Sequence, residues 1–153
     1  MSKLTDWVSR QFGSKDADSE QAAAGSLSLA VAALLVEVLR ADYQVDDDER
    51  QHVARSIGVL LHLGAAESAA LLELAEREID QAHDLFQFTS MINRSFSPGE
   101  KQRLVEHLWR VARSDETIHK YEEHLIRRIA DLLHVSHASF IAAKLRTDAS
   151  TPR

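Results

Sequence analysis

Apolar residues recur along the chain at intervals of three and four, the spacing that lines one face of an α-helix, and no window alternates long enough with the period of two expected of a strand. Leu4, Trp7, Val8 and Phe12 form the first such face, and Gly13 ends it. Residues 14–20 are charged, lack large apolar side chains and read as a link. From about Gln21 to Ala41 the apolar positions surround the helix nearly all the way round between Leu27 and Leu39, which predicts a helix at the centre of a bundle. The next helix begins after Asp46, buries Ala54, Ile57, Leu60 and Leu61, and ends at Gly64. Glu67 to about Ala82 continues through Leu71, Leu72, Leu74, Ala75 and Ile79, and His83-Asp84 then opens a shorter helix holding Leu85, Phe86, Phe88, Met91 and Ile92. Ser97-Pro98-Gly99-Glu100 is the clearest helix start, with Ser as cap, Pro at the first helical position and Glu reaching back. That helix carries Leu104, Val105, Leu108, Trp109, Val111 and Ala112, with Trp109 inside the apolar stripe. A further helix from about Lys120 to Leu133 buries Leu125, Ile126, Ile129, Leu132 and Leu133. A last one, capped by Ser136, holds Phe140, Ile141 and Leu145. The prediction is an all-α fold, a compact bundle of about seven to eight helices. Residues 1–20 would be an amphipathic arm and linker, and residues 21–149 one helical domain.

The pattern also repeats. Shifted by 73 positions, Arg40-Ala41-Asp42 falls on Arg113-Ser114-Asp115, Val45 on Ile118, Glu49 on Glu122 and Val53 on Ile126. The match extends to Leu35 on Leu108, Val38 on Val111, Arg55 on Arg128 and Leu60 on Leu133 without a gap. Each copy is an apolar helix end, an Asp, a turn with one β-branched residue, and a helix entered through Glu. The chain therefore predicts two helical hairpins of one design, each with acid at its corner.

Composition narrows the chemistry. With 153 residues the chain is one domain by size, and having no cysteine it holds no disulfide, thiolate metal site or cysteine nucleophile. That usage suits a reducing cytoplasm. Asp6 and Arg10 interrupt any signal-like apolar run, and the uncharged stretch from Gln21 to Val36 falls short of the roughly 20 apolar residues a membrane span needs. Residues 1–76 carry 13 acids against 6 bases, while residues 77–153 carry 11 against 12. An acidic first half and the lack of a basic stripe interleaved with aromatics argue against nucleic acid as a partner. Neither P-loop nor G-x-G-x-x-G nor G-x-S-x-G occurs, so the expectation is a protein that is not an enzyme, with no catalytic residue to name.

The acidic corners admit two explanations. Acids in the first turn of a helix interact favourably with its dipole, each by roughly 0.3–1 kcal/mol, and Asp suits turn conformations, so structure alone accounts for them. Asp46 with Glu49 is a capping-box-like pair. The alternative is a hard-cation site, because crowded carboxylates and turn carbonyls are what Ca2+ and Mg2+ bind. The corner is not an EF-hand, since the D-x-D-x-D-G spacing is missing. Between the copies, the first Asp and the Glu persist while Asp46 becomes His119 and Asp47 becomes Lys120. Asp42 and Asp115 are thus separated from the capping role. Of eight histidines, His119 with Glu123 and His134 with His137 share helical faces, but neither pair makes a zinc motif, and scattered surface histidines are the simpler reading.

The segments Ala33-to-Ile57 and Leu104-to-Leu133 resemble the two halves of the TerB-like domain, the tellurite resistance protein B family. Its pattern is an apolar helix, Ala-Asp, a turn with Ile or Val, and Glu in the next helix. Leu85-Phe86-Gln87-Phe88-Thr89 is similar to the middle of that domain, and the resemblance spans roughly residues 25–148. It implies a compact all-helical bacterial protein tied to stress and metal resistance. The metal ligands it implies are Asp42, Asp46 and Glu49, then Asp115 and Glu122, with Ca2+ or Mg2+ favoured over Zn2+. Ser114, His119 and Lys120 depart from the pattern in the second corner. It equally implies an adaptor, co-chaperone-like or associated with a membrane-protein complex, whose acidic face docks a basic protein partner without an ion. Self-association is compatible with either.

Overall fold

The structure is a computed structural model that describes residues 18–41, 47–81, 84–113 and 120–150, with side-chain surroundings for 25–41, 47–81, 84–113 and 120–147. Among the described residues there are seven helices and no strand. They are α1 (Asp18–Arg40), α2 (Asp47–Leu61), α3 (Ala65–Gln81), α4 (Phe86–Ser95), α5 (Pro98–Ala112), α6 (Lys120–Leu132) and α7 (His137–Ser150). Helix α1 reaches back to Asp18, into the stretch expected to be a link. Leu4, Trp7, Val8 and Phe12 lie outside the described residues.

Helix α1 is the axis of the bundle, as its all-round apolar pattern predicts. No residue from Ala30 to Val36 is more than 1% exposed, and α1 packs on α2, α3, α4, α5 and α6. Helix α5 is the second inner helix, with Leu104, Val105, Leu108 and Trp109 fully buried and contacts to α1, α2, α6 and α7. The ring of Trp109 packs 5.3 Å from that of Phe140 on α7, and the Lys144 ammonium stands 5.2 Å from the Trp109 centroid.

The two hairpins, α1–α2 and α5–α6, are arranged reciprocally. Helix α2 packs on α1 and also on α5, and α6 packs on α5 and also on α1. Such exchange is the contact pattern of a two-fold relation between the copies. Their buried faces agree residue by residue at the 73-position shift: Glu49 with Glu122, Val53 with Ile126, Ser56 with Ile129 and Ile57 with Ala130.

The copy extends one helix further than the sequence indicates. Helix α3 packs on α1 as α7 packs on α5. In both, the preceding helix ends on a histidine with φ 60°, His62 or His134. The next amide then bonds five residues back, Leu63 N to Gly58 O at 3.0 Å and Val135 N to Ala130 O at 2.9 Å. This is the Schellman closure. These positions are 72 apart, as are the starts of α3 and α7. The run from helix start to closing histidine is one residue shorter in the second copy, Lys120 to His134 against Asp47 to His62, and the register slips there.

Three local expectations need correction. Gly64 does not end α2; the left-handed residue is His62, and Gly64 precedes α3, donating its N–H to Glu67 Oε1 at 2.9 Å. Helix α3 therefore starts at Ala65 rather than Glu67. Phe86 and Leu145, expected inside, are 63% and 59% exposed, because the inward stripe of α7 runs through Phe140, Ala143 and Thr147, and that of α4 through Phe88, Thr89 and Ile92. The start of α5 is as read: Ser97 Oγ accepts from Glu100 N and Glu100 Oε1 accepts from Ser97 N, with Pro98 beside the cap.

Candidate functional site

Each hairpin corner is entered through an arginine and left through a glutamate. Arg40, at the end of α1, bonds Asp80 on α3. Its counterpart Arg113, just past α5, donates from Nε to Thr147 Oγ1 on α7 at 3.2 Å. The guanidinium of Arg40 holds the exposed Asp80 carboxyl below the usual carboxylate range. In each copy the corner arginine is thus drawn to the third helix.

Beyond the corners, the first turns of α2 and α6 sort their side chains by position. Asp47 and Asp48 are exposed, as are Lys120 and Tyr121, while Glu49 and Glu122 are 9% and 3% exposed. The inward position keeps its acid in both copies and the outward positions change charge. Both glutamates are engaged in interactions with the protein, and their place in a first helical turn favours the anion. The following residue ties the corner to the third helix. Arg50 donates from Nε and Nη2 to both carboxylate oxygens of Glu76, at 3.0 and 2.7 Å, whereas Glu123 accepts from Lys144 Nζ at 3.0 Å. The same position carries opposite charges and makes equivalent ties. The Glu76 carboxylate raises the pKa of Arg50 against the opposing effect of burial.

Asp42, Asp46 and Asp115, together with His119, lie outside the described residues, so Glu49 and Glu122 are the expected ligands that the structure locates. Among the described residues no group of three or more His, Asp or Glu side chains converges to hold a metal ion. The located glutamates supply one inward carboxylate per corner, and a cation there would need oxygens from the turns themselves. Helices α2 and α6 both flank the inner pair α1 and α5.

Two histidines went unnoticed in the sequence. His52 on α2 is near enough to His107 on α5 for its charge to act on it, and His52 Nε2 and His107 Nδ1 are buried without a hydrogen bond. Burial, reinforced by Arg110 and His52 against the opposing Glu106, pushes His107 down to about 4. Burial also lowers His52, with the charge of Arg55 adding to it and a hydrogen bond to the Arg110 backbone opposing it. His107 borders a cleft of about 460 Å3 with His62, Phe96, Glu100 and Arg103. A lone histidine on an amphipathic helix gives no sequence signal of such burial. No single described helix is long and apolar enough to cross a membrane.

Residues 28–145 match the family model for tellurite resistance protein TerB. No curated protein and no solved structure matches the chain.

Proposed function

Because the chain belongs to the tellurite resistance protein TerB family, we propose that it is a non-enzymatic cation-responsive module whose two acidic corners hold a divalent ion, Ca2+ or Mg2+ before Zn2+. The observation that carries this reading is the pair Glu49 and Glu122, inward carboxylates at one position of two copies whose outward neighbours differ. A corner needed only for solubility would keep its acids outside. Asp42 and Asp46 would join Glu49 in the first corner, and Asp115 would join Glu122 in the second. The ion would supply charge neutralisation at the turns and fix the angle between paired helices. The setting is a metal or stress response in a bacterial cytoplasm, in line with the family's name.

Thermal melting with and without Ca2+, Mg2+, Mn2+ and Zn2+ tests it. Binding to the folded chain alone at 100 times Kd adds about 2.7 kcal/mol of stability. That gain should vanish in Asp42→Ala and shrink in Asp115→Ala; no gain, or one indifferent to both variants, rejects the ion.

A second reading rests on the exposed acids Asp47 and Glu73, which border one shallow cleft on α2 and α3. In that version a basic segment of a protein partner docks there without an ion. Its capture should weaken with salt and be lost on charge reversal at Asp47 and Asp48, and capture unaffected by either counts against it.

A further inference from the structure

A groove follows the seam between α2 and α3. Its wider part, about 560 Å3, is walled by Ala54, Gly58, Val59, Leu63, Ala65 and Ala69. A narrower part of about 220 Å3 shares Ala54 and Ala69 and continues to Asp47 and Glu73. The walls are mostly small side chains, and Val59 stands 65% exposed beside them. Small walls leave room for large side chains from elsewhere.

We propose that this groove seats the chain's own N-terminal segment, with Trp7 and Phe12 entering between the small residues. Shape is the first argument. The spacing of Leu4, Trp7, Val8 and Phe12 in the sequence matches one helical face, which would be about 12 Å long, and the α2 wall from Asp47 to Val59 is about 18 Å long at the helical rise. Reach is the second. Helix α1 packs on both walls of the seam, and Arg40 at its end and Arg50 at the start of α2 both bond the last turns of α3, so α1 and α2 run antiparallel and Gly58 and Val59 lie toward the end where α1 begins. Residues 13–17 can span up to about 17 Å between Phe12 and Asp18, enough to bring the segment back along that side. The charges along the groove balance, Asp47 and Glu73 against Arg50 and Arg55, so its apolar walls rather than charge select the occupant. A segment carrying Trp and Phe has large apolar side chains to bury, and it meets the groove within one chain at high effective concentration.

The full-length chain tests this directly, because with no native cysteine a nitroxide placed through Ser9→Cys is the only label, on the polar side of the segment. Backbone amide signals of Ala54, Gly58, Val59 and Ala69 should lose intensity, while those of α7 keep theirs. The loss should disappear in a Trp7→Ser/Phe12→Ser double variant, which leaves the bundle core untouched, and should weaken in Val59→Asp. Unlabelled isotopic chains carrying the nitroxide, mixed with isotope-labelled chains lacking it, separate the alternatives. Broadening confined to one chain supports the proposal. Broadening only between chains overturns it in favour of a second copy's segment, and no broadening at the seam overturns it outright.

Discussion

Arg50 grips Glu76 through two parallel hydrogen bonds, Nε to Oε2 and Nη2 to Oε1, and so ties the first turn of α2 to the outer length of α3. A fork-to-fork pair of this kind is stronger than a single contact, because the planar guanidinium matches both carboxylate oxygens without further ordering. Arg50 is 36% exposed and Glu76 23%, so solvent still screens the pair. A double-mutant cycle of Arg50→Ala and Glu76→Ala should give a coupling of about 1 kcal/mol, the upper end for surface pairs. The more exposed Arg40–Asp80 contact should couple less and lose its effect first as salt is added. Equal coupling in the two cycles would show that the bidentate geometry confers nothing.

His107 makes stability depend on pH. Its folded pKa lies below the unfolded value, so the neutral ring is favoured by folding and the protein is fully stabilised only above pH 6.5. As pH falls from 6.5 towards 4, the unfolded chain takes up the proton first and stability declines. With His107 at about 4, that loss reaches about 2 kcal/mol by pH 5. Most carboxylates are still ionised there, which isolates the histidine contribution. His52 acts in the same direction. Denaturant melts of the native chain and His107→Leu between pH 7 and 5 should show a slope in the first and a much flatter line in the second.

The helices are readable from apolar period because their buried faces are continuous, and the Ser97–Glu100 start is readable because every group that forms it is local. The repeat is readable up to Leu60 and Leu133, because the buried side chains of the two copies coincide as far as Ile57 and Ala130. It is lost beyond that point for a physical reason. The shorter α6 moves everything after it by one position, and the residue that closes each helix is a histidine, which carries no turn signal in sequence. Gly64 misleads because glycine, although commonest just past a helix end, is also accepted as a helix N-cap. At the corners, the repeat singles out Glu49, which persists as Glu122, but its inward orientation becomes visible only through its burial. Asp42, Asp46 and Asp115 lie outside the described residues.

The two left-handed histidines can be tested as caps. At φ 60° a side chain with a Cβ costs about 1 kcal/mol that glycine avoids. His62→Gly should therefore be more stable than His62→Ala by about 1 kcal/mol, and His134→Gly should exceed His134→Ala by about as much. Because the two closures are separate turns with the same bonds, the effects should add in the double variants. Thermal melts of the six chains decide it. Alanine equal to glycine at either site would mean that the closure there relaxes rather than holding the left-handed conformation.

Gly58 sits inside α2, where replacing glycine by alanine ordinarily stabilises a helix by up to about 1 kcal/mol. Here the sign should reverse. A Cβ on Gly58 would lie 2.9 Å from Ser68 Oγ and 3.0 Å from the Leu63 carbonyl oxygen, at the corner where the chain turns by 110° into α3. The serine can give way, but the carbonyl belongs to a residue whose own amide bonds Gly58 O and is held in the closure. Overpacking of this kind costs about 1–3 kcal/mol, so Gly58→Ala should lower stability despite its better helix propensity. Ser68 contributes separately: its hydroxyl is buried without a hydrogen bond, and Ser68→Ala should raise stability by about 1 kcal/mol. Combined, Gly58→Ala/Ser68→Ala should cost less than the two single effects sum to, because the second change removes one of the two close contacts. Urea midpoints of the four chains measure this coupling, and strictly additive midpoints would place the whole clash on the Leu63 carbonyl.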